Sequence, residues 1–70
     1  MGNRYWDLKG RMIFVKGAID GSGYRTFYRT LCDPGARQLN RKALPIRSTE
    51  AEAQADLDAY AAQQGWELNL

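Results

Sequence analysis

The chain has 70 residues, 44% of them hydrophobic and 26% charged, with 10 Lys+Arg against 8 Asp+Glu, one Cys and no His. That is one small domain with a thin core; it cannot form an intramolecular disulfide framework, and a lone cysteine without histidine excludes a structural zinc site. No run approaches the roughly 20 apolar residues of a membrane span, and the N-terminus lacks a basic-then-apolar leader, so a cytoplasmic protein is expected.

In chain order, Tyr5-Trp6-Asp7-Leu8 before Gly10 reads as a short first strand. Residues 11–19 follow, rich in β-branched and aromatic side chains (Ile13, Phe14, Val15, Ile19), and Asp20-Gly21-Ser22-Gly23 is a turn cluster. Residues 24–32 read as the next strand, Asp33-Pro34-Gly35 as a turn, and residues 37–46 as another strand, with Pro45 at its exit. Alternation in 24–32 is imperfect: Tyr24, Thr26 and Tyr28 share one parity, and Arg25, Phe27, Arg29 and Leu31 the other. Either a bulge shifts the register, or one face carries both arginines and an exposed aromatic.

The last element is a helix over residues 50–64. Thr49 and Glu52 have capping-box spacing, so the hydroxyl can accept from the backbone at Glu52 while the carboxylate reaches back. Six alanines fill this stretch, with no Gly or Pro, and Ala53, Leu57, Tyr60, Ala61 and Gln64 form one narrow stripe. Gly65 is the expected terminator, with Trp66 folding back over the core. The expected architecture is a single α+β domain over residues 1–70: three or four antiparallel strands with one C-terminal helix packed on one face.

Charge is unevenly spread along the chain. Residues 1–47 hold all ten basic residues against three acids, a balance of +7, and residues 48–70 hold five acids and no base. General acid–base chemistry near neutrality favours His, which is absent, and Cys32 has no evident base to activate it. Cys32 reads instead as a half-buried thiol at a strand end, and Gly21-Ser22-Gly23 as a turn, since its spacing is not that of a phosphate loop. A non-catalytic protein without cofactor or metal is expected.

The basic strands are more informative. Arg25, Arg29, Arg37, Arg41, Lys42 and Arg47 lie on or beside two neighbouring strands, interleaved with Phe27, Tyr28 and Asn40. If the helix covers one face, the other is an open polar platform able to meet double-stranded DNA. Arg25, Arg29 and Arg41 would contact bases or phosphates, Arg37, Lys42 and Arg47 phosphates, and Phe27 or Tyr28 would add apolar contact. A strand face rich in Lys, Arg and Thr is also what a plain solvated surface looks like.

Three stretches carry a family resemblance: Tyr24-Arg25-Thr26-Phe27-Tyr28-Arg29-Thr30-Leu31-Cys32-Asp33-Pro34-Gly35, then residues 37–46, then Ser48-Thr49-Glu50-Ala51-Glu52-Ala53. Together, over about residues 22–65, the chain resembles the arm-type N-terminal DNA-binding domains of phage and transposon tyrosine integrases. The resemblance implies three antiparallel strands backed by a helix, a phage or mobile-element origin, and DNA-facing positions at Arg25, Phe27, Arg29 and Arg41. The segment Tyr5 to Val15 is more strand than that family has. A different class stays open beside it: a protein-interaction module, or a homodimer, acting through sheet edges. There the exposed strand Tyr5–Leu8 and the alternating Trp66-Glu67-Leu68-Asn69-Leu70 would add to a partner.

Overall fold

The structure, a computed structural model, describes residues 2–18, 20–32 and 35–69, so Ile19, Asp33, Pro34 and Leu70 of the expected elements lie outside the described residues. The elements run β1 (Arg4–Trp6), β2 (Met12–Gly17), β3 (Tyr24–Arg29), β4 (Arg37–Gln38), α1 (Glu50–Gln64) and β5 (Glu67–Asn69). The strands form one sheet in the order β4-β3-β2-β1-β5, antiparallel at every pairing. The α+β class with a C-terminal helix is as expected; the sheet has five strands where three or four were expected.

One carboxylate organises the β1–β2 connection. Gly10, at φ +79°, donates its N–H to the Asp7 carbonyl at 3.1 Å, and the Asp7 N–H reaches the Arg11 carbonyl at 3.0 Å. This is a three-residue hairpin loop closed by a left-handed glycine. The Asp7 side chain fills it: Oδ1 accepts from the N–H groups of Lys9 (2.9 Å) and Arg11 (2.7 Å), and Oδ2 from Arg11 Nε at 2.6 Å. Burial works against the Asp7 charge, but the N–H and guanidinium of Arg11, with the N–H of Lys9, outweigh it and hold the carboxyl below its ordinary range.

The central hairpin has an unbroken register from Met12 opposite Arg29 to Gly17 opposite Tyr24. At its turn Ala18 N–H donates to the Gly23 carbonyl at 2.7 Å, and the Asp20 carboxylate takes the N–H and hydroxyl of Ser22. β3 stops at Arg29, three residues before the expected end, and Cys32 beyond it is exposed rather than half-buried.

The expected strand over residues 37–46 is also corrected. Only Arg37–Gln38 form a strand on β3, extended by Leu39 N–H to the Thr26 carbonyl at 3.0 Å. Leu39 and Leu44 are five residues apart, so a straight strand would send them to opposite faces. A turn from Arg41 to Leu44, closed by a 3.0 Å hydrogen bond, lets both enter the core, where each is 2% exposed. Pro45 therefore lies in a loop, and the chain returns to β3 at Arg47, which exchanges two backbone hydrogen bonds with Tyr24.

α1 has the expected bounds. The Thr49 hydroxyl accepts from the Glu52 N–H at 3.2 Å, while the Glu52 carboxylate takes the hydroxyls of Thr49 and Ser48 at 3.0 and 3.2 Å. Gly65 ends the helix at φ +71°, and Trp66 N–H caps the Ala61 carbonyl at 3.0 Å. Ala53, Leu57 and Ala61 are the buried stripe, and the Trp66 ring meets Tyr60 edge-on at 5.3 Å. The core beneath is Ile13, Leu39, Leu44 and Leu57, flanked by Tyr5, Val15, Tyr28, Tyr60 and Trp66. Tyr5 Oη donates to Asp58 at 2.7 Å, and Gln54 bridges Asp58 and the Asn3 carbonyl, so β1 is tied to the helix.

The reversal at Gly65 returns the chain beside β1. Glu67–Asn69 pair with Arg4–Trp6, so the C-terminal segment completes its own sheet, and β1 is an interior strand rather than an exposed one.

Because the folded Asp7 carboxyl is held below its ordinary value of 3.8, its contribution to stability is complete above that value and is lost as pH falls through the folded one. Asp7→Asn, which leaves the Arg11 guanidinium without its anion, is expected to cost about 1–3 kcal/mol in urea unfolding at pH 7. The variant should also lose less stability than the parent between about pH 5 and 2; an equal acid response in both would show that Asp7 is not the clamp.

Candidate nucleic-acid interface

Directly opposed residues of paired strands project to the same face of a sheet. The registers therefore put Tyr5, Ile13, Val15, Thr26 and Tyr28 on the side of α1, and Arg4, Trp6, Met12, Phe14, Lys16, Arg25, Phe27 and Arg29 on the open side. No bulge intervenes in β3, so of the two alternatives left by the sequence the chain adopts the second: both arginines and Phe27 share one face.

Phe27 is nevertheless only 2% exposed. Its cover comes from its own face. The Phe14 ring stacks beside it at 6.4 Å and 22°, and the Lys16 ammonium stands 5.0 Å from its centroid. Long cationic side chains lay their aliphatic stems over apolar surface while the charge stays in water. The open side is thus not the purely polar platform expected; it has an apolar centre of Trp6, Met12, Phe14 and Phe27 with cations around it.

Arg4, Lys16 and Arg29 are exposed, and none of the three is paired with a carboxylate among the described residues. Arg25 is half-buried and donates from Nη2 to Asn40 Oδ1 at 2.8 Å, while its Nε is buried with no hydrogen-bond partner. Arg41 donates to the Asn40 carbonyl at 2.9 Å. Arg25, Asn40, Arg41 and Lys42, with Leu44 and Pro45, line a shallow depression of about 360 Å³ at the β4 side.

The remaining expected contacts go elsewhere. Arg37 is opposite Tyr28 and so belongs to the helix side of the sheet. Arg47 is held by Asp56 of α1, Nε to Oδ2 at 2.7 Å, and that hydrogen bond and charge raise the guanidinium pKa still further above its ordinary value. Of the seven residues picked out in the sequence, the structure groups Arg25, Phe27 and Arg29 on one face, sets Arg41 and Lys42 at its rim, and leaves Arg37 and Arg47 behind it.

Five members of the face were not anticipated: Arg4, Trp6, Met12, Phe14 and Lys16. The signal was present as alternation, Arg4-x-Trp6 and Met12-x-Phe14-x-Lys16, in strands read for their apolar content alone.

Charge is separated through the thickness of the domain. The open face carries Arg4, Lys16, Arg25 and Arg29, and the one carboxylate among its described strand residues is Glu67, opposite Trp6 at the sheet edge. α1 carries Glu50, Glu52, Asp56 and Asp58 and no basic residue. Among the described residues no three His, Cys, Asp or Glu side chains gather where they could hold a metal ion, and no helix is long and apolar enough to cross a membrane. Comparison with known protein families, with curated proteins and with solved structures finds no match.

The burial of Phe27 on the open side makes a testable distinction between neighbours. Phe27→Ala is expected to lose about 3–5 kcal/mol of unfolding free energy, enough to threaten a domain of this size. Arg29→Ala, two residues on and exposed, should change stability by no more than about 0.5 kcal/mol. Urea titrations of the two variants read the difference, and a small effect at Phe27 would mean that its cover is loose.

Proposed function

We propose that this domain is a small non-catalytic DNA-binding module whose interface is the open face of the sheet. The observation that carries the reading is the gathering of Arg4, Lys16, Arg25 and Arg29 on that face, with no carboxylate within ion-pair distance of them among the described residues. Cations left unpaired on one side of a domain repel one another, and a polyanion relieves that repulsion while releasing its own counterions. α1 packs on the other side of the sheet, where Asp56 is held by Arg47 and Asp58 by Tyr5; Glu50 alone of its four acids lines the cleft beside Phe14, so the molecule meets a polyanion with its sheet first. Arg41 and Lys42 extend the basic surface at one rim. The resemblance to integrase arm-binding domains supports the same face through Arg25, Phe27 and Arg29, and with it a phage or mobile-element origin and a cytoplasmic setting.

Action through sheet edges finds less support. The two edge strands have two and three residues, a length that blunts edge-to-edge pairing.

Fluorescence anisotropy with labelled mixed-sequence DNA, offered both as a duplex and as its separated strand, tests the reading. With about four phosphates neutralised, the log–log salt slope is about −3.6 on a duplex and about −2.8 on a single strand. Between about 50 and 200 mM salt, affinity then falls about 150-fold or 50-fold. Arg25→Ala together with Arg29→Ala should flatten either slope by about 1.4–1.8. No binding of either form up to about 100 μM at low salt would overturn the proposal.

A further inference from the structure

Cations alone account for phosphates; they do not account for the aromatic centre of the face. Trp6 on β1, Phe14 on β2 and Phe27 on β3 all project to the open side, away from the core that α1 covers, although Glu50 and Gln54 of α1 reach the cleft beside Phe14. Phe27 is closed over by Phe14 and Lys16, but Trp6 and Phe14 are only half-buried. Two ring faces are therefore left partly in water at the centre of a basic surface.

A duplex uses such rings sparingly, through a thymine methyl or by a wedge that must first unstack two bases. Its bases are stacked on one another, and its grooves offer only base edges, sugars and phosphates to a protein. A single strand offers the reverse: unstacked bases whose apolar faces seek a ring, joined by a chain of negative charge. The surface is complementary to that ligand in both respects. Arg4 and Lys16 border Phe14, and with Gly2, Asn3, Glu50 and Gln54 they line a cleft of about 310 Å³ beside its ring. At the β4 side of the sheet, Arg25, Arg41 and Lys42 surround the shallow depression next to Asn40. Lys16 of the cleft and Arg25 of the depression are direct cross-strand partners, about 5 Å apart, so an extended chain passes from one to the other within a nucleotide or two.

We infer that the ligand of this face is single-stranded DNA, with bases stacked on Trp6 and Phe14 and the backbone running toward Arg25, Arg41 and Lys42. This rests on the DNA-binding reading above and narrows it. Phe27 then acts from beneath, as the packed support that holds Phe14 in place, and Lys16 is within reach of both a ring and a phosphate.

The chain has two tryptophans, so the variant Trp66→Phe leaves Trp6 as the single reporter. A thymidine oligonucleotide of about ten residues, within the range of single-strand site sizes, is titrated against it at low salt, with a duplex of equal length in parallel. The expected result is quenched Trp6 emission on the single strand, and at least about tenfold weaker binding of the duplex.

In the parent chain Phe14→Leu, which keeps apolar volume against Phe27, should weaken single-strand binding by about 5- to 150-fold, the loss of one base–ring stack. Phe14→Tyr should restore it, and thermal melts check that both variants are folded. Duplex bound as tightly as the single strand, with Trp6 emission unchanged and Phe14→Leu without effect, overturns the inference and leaves the DNA-binding reading standing. Absence of binding to either form overturns both.

Discussion

Among the described residues, one helix of fifteen residues is the only layer set against a five-stranded sheet. At about 1.5 Å per residue it is some 22 Å long, enough to cover one face and no more. Everything else in the structure follows from that shortage. The covered face takes the branched aliphatic side chains, Ile13, Val15, Leu39 and Leu44, against a stripe of alanines around Leu57. The open face must cover itself, and it does so with long cations laid across aromatic rings, as Lys16 lies over Phe27. Stability and surface chemistry are therefore coupled on that side: the side chains that shield the apolar centre are the same ones that make the face basic.

The sheet register is what turns this arrangement into a specific surface. A slip of one residue between β2 and β3 would send Arg25, Phe27 and Arg29 under the helix and bring Thr26 and Tyr28 out to water. Several devices outside the hairpin hold the register. Asp7 clamps the turn before β2 through five hydrogen bonds, three of its carboxylate with Lys9 and Arg11 and two of its backbone with Gly10 and Arg11. Arg47 exchanges two backbone bonds with Tyr24 at the other end of β3, and Tyr5 binds Asp58 of the helix. Gly23, at φ +139° and packed against the Arg47 carbonyl, leaves no room for a side chain where these strands meet. The ion pair between Arg47 and Asp56 belongs to the same set: a cation that reads as a phosphate contact along the chain serves to bind the returning loop to α1.

The helix, its cap and its terminator were legible in the chain because all of their causes are local. A hydroxyl three residues before a carboxylate, a run of alanine, and a glycine at the end act within one or two turns. The central hairpin was legible for the same reason. The strand over residues 37–46 was not, because whether Leu39 and Leu44 lie on one side depends on a core that exists only once α1 has docked. The fate of residues 67–69 was hidden too: their alternation is equally good for a partner's sheet or their own, and only the reversal at Gly65 brings them beside β1.

For the candidate interface the division is similar. Sequence alone determined that the domain is α+β, that its N-terminal two-thirds is basic and its helix acidic, and that Arg25, Phe27 and Arg29 stand on one parity of one strand. Tertiary structure decided which face that parity occupies, that Arg4, Trp6, Met12, Phe14 and Lys16 join it, and that Arg37 and Arg47 leave it. The physical reason is that a strand sorts its own side chains between two sides by alternation, a rule with a range of two residues. Which side meets the helix, and which neighbours complete the other, is set by contacts between residues as far apart as Tyr5 and Asp58.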